Sequence, residues 1–132
     1  MYIPPGFTRV FPYIFAADAG KYLTFLSEGL GGTIDSVHST PDGKIRNAQV
    51  RFGDTTIMVS EANEQLGPMR SSYYIYVEDA DAAMAQAVNA GGVQRGKIAE
   101  MPYGERQGGV IDPAGNIWWI SQRLSAGAYS TD

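Results

Sequence analysis

The succession of apolar and polar positions along this chain runs through one pattern and then runs through it again. Residues 8–16 are dense in aromatic and β-branched side chains, which predicts a strand. Asp18 then stands where a helix cap belongs, ahead of an apolar stripe of Tyr22, Leu23, Phe25 and Leu26. Gly29 and the pair Gly31-Gly32 stop that helix. Three strand-like runs follow, over about 33–40, 45–52 and 55–60, parted by Pro41-Asp42-Gly43 and Gly53-Asp54. The second pass gives a strand over 71–77 and a helix capped by Asp79 or Asp81 with Ala83, Met84, Ala87 and Val88 inward. Its further strands fall near 93–99, 106–111 and 117–122, the last two parted by the turn Asp112-Pro113-Ala114-Gly115-Asn116. Each half therefore reads βαβββ. The expected fold is α+β, one domain of two tandem modules at about 7–61 and 71–123, with a linker over 62–70 and a flexible tail over 124–132.

The identities repeat along with the pattern. Tyr13, Ile14, Phe15, Asp18 and Ala19 return as Tyr74, Ile75, Tyr76, Asp79 and Ala80 at an offset of 61, the separation of Tyr13 from Tyr74. Gly31-Gly32 returns as Gly91-Gly92 at an offset of 60, and Ile57-Met58-Val59 falls on Ile117-Trp118-Trp119 at that same offset. Stacked repeat architectures need three or more units to bury a core, so two copies predict a pseudo-symmetric pair with a shared site. Pro12 lacks a backbone donor and suits a strand at a module edge.

Composition narrows the function classes. A chain of 132 residues can build a core without staples, and the absence of cysteine removes disulfides and thiolate metal sites. Ten basic against fourteen acidic residues, scattered singly, do not make a nucleic-acid footprint. With no long apolar run and no signal-peptide pattern, the expectation is a cytoplasmic protein with no membrane partner.

Three stretches carry a family resemblance: PYGERQGGVIDPAGNIWWIS from Pro102 to Ser121, PYIFAADAGKYLTFL from Pro12, and GDTTIMVSE from Gly53. Together they resemble the vicinal oxygen chelate superfamily (glyoxalases, bleomycin-resistance proteins, extradiol dioxygenases), with the PhnB-like branch the most similar. The resemblance implies two βαβββ modules whose mixed sheets curl around a shared cavity, and a homodimer. It also implies one divalent metal held by side chains from four strands. Carried over by spacing, those positions hold Phe11, Val59, Ser72 and Trp119, none of them a zinc, iron or nickel ligand. The expectation is therefore no metal and no cofactor.

What the carried-over site offers instead is aromatic. Alternate strand residues share a face, which groups Phe11, Tyr13 and Phe15, then Ser72, Tyr74 and Tyr76, then Ile117, Trp119 and Ser121. The expected pocket is lined by Phe11, Tyr13, Tyr74, Tyr76 and Trp119. Gln49 and Arg51 are its expected polar contacts, with Tyr103 and Arg106 near the entrance. Glu61 is the carboxylate expected to reach the cavity mouth. The leading reading is a metal-free small-molecule binding protein that sequesters a flat or partly apolar ligand by stacking. Two others stand beside it. One is a lyase, isomerase or oxygenase with a non-standard or absent metal site, using His38, Glu61 or Tyr103 for acid–base work. The other is a structural module whose own aromatics, Trp119 included, fill the cavity.

Overall fold

The structure, a computed structural model, describes residues 2–128. It divides into two compact units, Met1–Met69 and Arg70–Asp132. In the first, strand β1 (Tyr13–Ala16) alternates outward and inward, and its inward pair Ile14 and Ala16 is fully buried. Helix α1 (Ala19–Thr24) follows, continued by a π-helical turn over Phe25–Gly29. Strands β2 (Thr33–Ser39), β3 (Ile45–Phe52) and β4 (Thr55–Glu61) complete the unit. The sheet order is β1-β4-β3-β2, with β1 parallel to β4 and the other pairs antiparallel. The core lies between helix and sheet, where Tyr22, Phe25 and Leu26 meet a unit interior that also holds Ile14, Ala48, Val50 and Val59.

The second unit has the same plan: β5 (Ser72–Tyr76), α2 (Ala80–Asn89), β6 (Val93–Met101), β7 (Glu105–Ile111) and β8 (Ile117–Arg123). Its order is β5-β8-β7-β6, again with the single parallel pair between first and last strands. Met84, Ala87, Val110, Trp118 and Ile120 form its core, whereas Val88 stays exposed. Among the described residues no helix is long and apolar enough to cross a membrane.

Both helices start and stop by shared devices. The side chains of Asp18 and Asp79 cap α1 and α2 by accepting from the backbone N–H groups of Lys21 and Ala82. A second acceptor arrives from the last strand of each unit: Glu61 takes the N–H groups of Asp18 and Ala19, and Gln122 takes that of Ala80. At the far ends, Gly31 and Gly91 adopt positive φ of 78° and 113°, and Gly32 and Gly92 donate back to Leu26 and Ala87. Gly32 is small for a further reason, since a Cβ there would lie 2.6 Å from Val50 Cγ1.

Three details depart from the sequence expectations. Strand β1 begins only at Tyr13, although the Pro12 carbonyl still accepts from Met58 N at 3.0 Å. Strand pairing is irregular on β2 between Ile34 and Ser36 and between His38 and Ser39, and on β6 between Arg95 and Ala99. In the expected tail, Arg123 holds the carbonyls of Gly127 and Ala128 at 3.0 and 2.9 Å, while residues 129–132 lie outside the described residues.

Candidate ligand-binding site

Register decides which side chains share a face. Tyr13 pairs with Met58 and Ile14 with Val59 in the first unit; Tyr74 pairs with Trp119 and Ile75 with Ile120 in the second. The fourth strands therefore correspond at the offset of 61 that relates Tyr13 to Tyr74, not at 60. The sequence spacing makes Val59 the metal position equivalent to Trp119, and the ladder corrects this. Val59 is fully buried beside Ile14 on the helix side, and Met58 is the counterpart of Trp119. A slip of one residue sends every side chain of a strand to the opposite face. With Met58 in place of Val59 the positions offer phenylalanine, methionine, serine and tryptophan, and among the described residues no three His, Cys, Asp or Glu side chains come together to hold a metal ion. The donors present do not fit the metal that the resemblance implies.

On the first unit's face, Tyr13 and Phe15 stack with ring centroids 4.9 Å apart and an interplanar angle of 21°. A directed chain of hydrogen bonds fixes the Tyr13 ring. Ser60 Oγ donates to the Arg46 carbonyl at 2.6 Å, so the Tyr13 hydroxyl donates to Ser60 Oγ at 2.6 Å, and Asn47 Nδ2 donates to the Tyr13 hydroxyl at 3.3 Å. The two rings and Ser60 wall a cavity of about 390 Å³, completed by Ile45, Lys44 and Leu66 among others. A second hollow of about 370 Å³ shares Asp42, Lys44, Ile45 and Glu61 with it.

Of the other candidates of this unit, Glu61 also lines the Tyr13–Phe15 cavity and Gln49 shares the row of Tyr13 through Met58, whereas Phe11, Arg51 and His38 are not on its lining. Phe11 packs on Phe7 at 5.0 Å and precedes the strand. Gln49 sits between Ser36 and Met58 in the ladder. Arg51 forms a two-pronged ion pair with Asp35, Nε to Oδ2 at 2.9 Å and Nη2 to Oδ1 at 3.4 Å. The His38 ring nitrogen bonds Ser36 Oγ at 3.1 Å, and both Glu61 oxygens take backbone N–H groups at 2.9 Å. Phe15, Ser60 and Ile45 were not singled out as contacts from sequence. Strand parity with Tyr13 was the available signal for Phe15.

The second unit's face carries Tyr74 and Tyr76, ring centroids 5.8 Å apart, both exposed, with Trp119 beside Tyr74 in register. Gly109 makes room for the indole: a Cβ there would stand 3.0 Å from Trp119 Cζ3. Below them runs a polar network. The Tyr103 hydroxyl donates to Gln107 Oε1 at 2.6 Å, and Gln107 Nε2 donates to Ser121 Oγ at 2.7 Å. The Tyr76 hydroxyl donates to Glu105 Oε2 at 2.8 Å, and Arg123 Nη1 approaches the same oxygen at 3.5 Å. Glu105 is fully buried and its Oε1 has no hydrogen-bond partner. Glu105 is not among the residues that the sequence singled out. Arg106, its neighbour, belongs to the opposite face, where Asp81 of α2 holds it at 2.7 and 3.0 Å.

The Tyr76–Glu105 bond has a titration consequence. The carboxylate beside it, with burial adding to the effect, pushes the Tyr76 phenol from 10.0 up to about 12. A folded-state value above the unfolded one contributes stability that is whole below the ordinary phenol range and is lost as pH rises through about 12. Absorbance titration of the eight tyrosines should show a late-ionising phenol that disappears in Tyr76→Phe. An unchanged curve in that variant would show that the bond does not govern the shift.

The turn that carries the family signature is structural. Asp112 Oδ1 accepts from the N–H groups of Ala114 and Asn116, both at 2.9 Å, and its Oδ2 accepts from the Trp118 indole at 2.8 Å. Asn116 Oδ1 in turn accepts from Ser71 N at 2.8 Å, tying the turn to the start of β5.

Comparison with known proteins agrees with this architecture. The sequence model of the Glyoxalase/Bleomycin resistance protein/Dioxygenase superfamily matches residues 7–120. The chain belongs to that superfamily. An uncharacterized protein of Mycobacterium bovis, Mb0911c, is 26% identical over 122 residues, covering 84% of this chain and 80% of its own length. TnmS3, an antibiotic binding protein from Streptomyces sp. CB03234, superposes with a TM-score of 0.70 at 24% identity, over 93% of this chain and 98% of its own. The bleomycin-binding protein of Streptomyces verticillus, solved with copper(II)-bleomycin, superposes at 0.58 with 26% identity, over 90% and 97% of the two chains.

Proposed function

We propose that this superfamily member is a binding protein for a small, flat, partly apolar ligand, acting without a resident metal and as a homodimer. The observation that carries the reading is the stacked Tyr13–Phe15 pair walling a cavity of about 390 Å³. That volume falls within the range of small-molecule sites, which are mostly apolar with a few placed polar groups. Ser60 and Asn47 supply such groups at the Tyr13 hydroxyl. Tyr74, Tyr76 and Trp119 present a comparable aromatic surface on the second unit, and we extend the role to them. The neighbours named for binding an antibiotic and copper(II)-bleomycin support a small-molecule ligand. The PYGER and DPAGNIWW stretches support a place in the PhnB-like branch.

The test is a screen of planar heterocycles for thermal stabilisation of dialysed protein, since a ligand that binds only the native state raises its melting temperature. For any hit, Phe15→Ala should weaken binding by roughly 1–3 kcal/mol, the worth of one aromatic stack. Phe15 is only half-buried, so the variant should stay folded. Light scattering on the same samples reports the dimer. A screen without hits, or hits indifferent to Phe15→Ala, would remove the stacking site from the reading.

A further inference from the structure

The second unit holds another cavity, of about 720 Å³, whose wall chemistry is unlike the aromatic one. Its lining is Arg70, Ser71, Ser72, Ile111, Gly115 and Ile117. Ser72, Ile117 and Ile111 form one cross-strand row, paired in register across β5, β8 and β7. Arg70 lies against the signature turn: a Cβ on Gly115 would stand 3.2 Å from its Nε and 3.7 Å from its Cγ and Cδ. Gly115, at a φ of 89°, thus leaves the space that the arginine stem occupies. Where Arg51 and Arg106 are spent on Asp35 and Asp81, Arg70 has no ion-pair or hydrogen-bond partner among the described residues. No carboxylate is on the lining, so the guanidinium is its one formal charge. The nearest acidic side chain in sequence, Asp112, is occupied by two backbone N–H groups and an indole.

From this geometry we infer a second binding site, for a small organic anion with a compact aliphatic body. The Arg70 guanidinium takes the carboxylate or phosphate group, the Ser72 hydroxyl is in reach of the same end, and Ile111 and Ile117 receive the apolar part. A guanidinium presents its donors as a planar fork that matches a carboxylate or phosphate, and an unpaired one at an apolar wall favours an anionic over a neutral guest. The site is separate in residues and in chemistry from the stacked Tyr13–Phe15 cavity, so either can fail without the other.

Hexanoate, hexanamide and hexyl phosphate are suitable probes, followed by backbone amide chemical shifts of the full chain. Hexanoate or hexyl phosphate should shift the amides of Ser72, Gly115 and Ile117 saturably, and the stronger of the two names the headgroup. Hexanamide should bind roughly tenfold more weakly or worse, the worth of one charge-assisted hydrogen bond. Arg70→Gln should lose a similar factor, Ser72→Ala a smaller one, and Arg9→Gln, which removes a charge from the other unit, nothing. The site is overturned if hexanamide binds as well as the anions or if Arg70→Gln keeps full affinity. It is equally overturned if no probe gives a saturable shift by roughly 50 mM, beyond which no specific site need be invoked.

Discussion

Asp112→Ala should destabilise the protein by about 3–5 kcal/mol in urea unfolding, because it strands three buried or half-buried donors at once. The N–H groups of Ala114 and Asn116 and the Trp118 indole would all lose their acceptor. Trp118 is 4% exposed, so its indole has no water to turn to. Asp112→Asn keeps an oxygen for the two backbone groups but turns an amide toward the indole, and its loss should be intermediate. A wild-type midpoint for Asp112→Ala would mean that the turn holds itself without the carboxylate.

The second large effect belongs to Arg123. Its guanidinium gives Glu105 the only positive charge nearby in the described network and also holds the carbonyls of Tyr103, Gly127 and Ala128. Arg123→Ala leaves a fully buried carboxylate supported by the Tyr76 hydroxyl alone. The expected cost is about 2–4 kcal/mol, below that of a wholly buried pair, since the arginine is one-quarter exposed and the contact is long. Adding Glu105→Gln to Arg123→Ala should recover part of the loss, because the uncompensated charge goes while the hydrogen bond from Tyr76 can persist. If the double variant is as unstable as the sum of the singles, the two side chains do not interact energetically.

The repeat made the architecture readable. Alternation in Tyr13–Ala16, the paired glycines after each helix and the Asp caps at 18 and 79 are local devices, and local devices are written in neighbouring residues. The face assignments needed register, and there the sequence echo misled. Ile57-Met58-Val59 matches Ile117-Trp118-Trp119 by type at an offset of 60, whereas the ladder runs at 61. Within that triplet residue type does not distinguish the alignments, since all of its members are apolar; the next two residues do, because Ser60-Glu61 falls on Ser121-Gln122 at 61. The arginines were unreadable for another reason. Arg51 and Arg106 find Asp35 and Asp81 across 16 and 25 residues of chain, and whether a long side chain reaches a partner depends on folded distances. Glu105 escaped notice because its burial depends on Tyr76 and Arg123, one from each neighbouring part of the unit.

The irregular pairing on β2 and β6 bears on how the protein behaves at high concentration. Each is one of the two edge strands of its sheet, opposite β1 or β5, and presents backbone donors and acceptors that a like strand on another molecule could join. β2 even exposes Ile34 and Val37, which by themselves would invite such pairing. The register shifts around Asp35 and between Arg95 and Ala99 break both margins into short, kinked lengths, and Asp35, Arg95 and Lys97 put charge at the breaks. On these two strands, then, the lengths that a like strand could join are set by a few misaligned residues rather than by the full run of the strand.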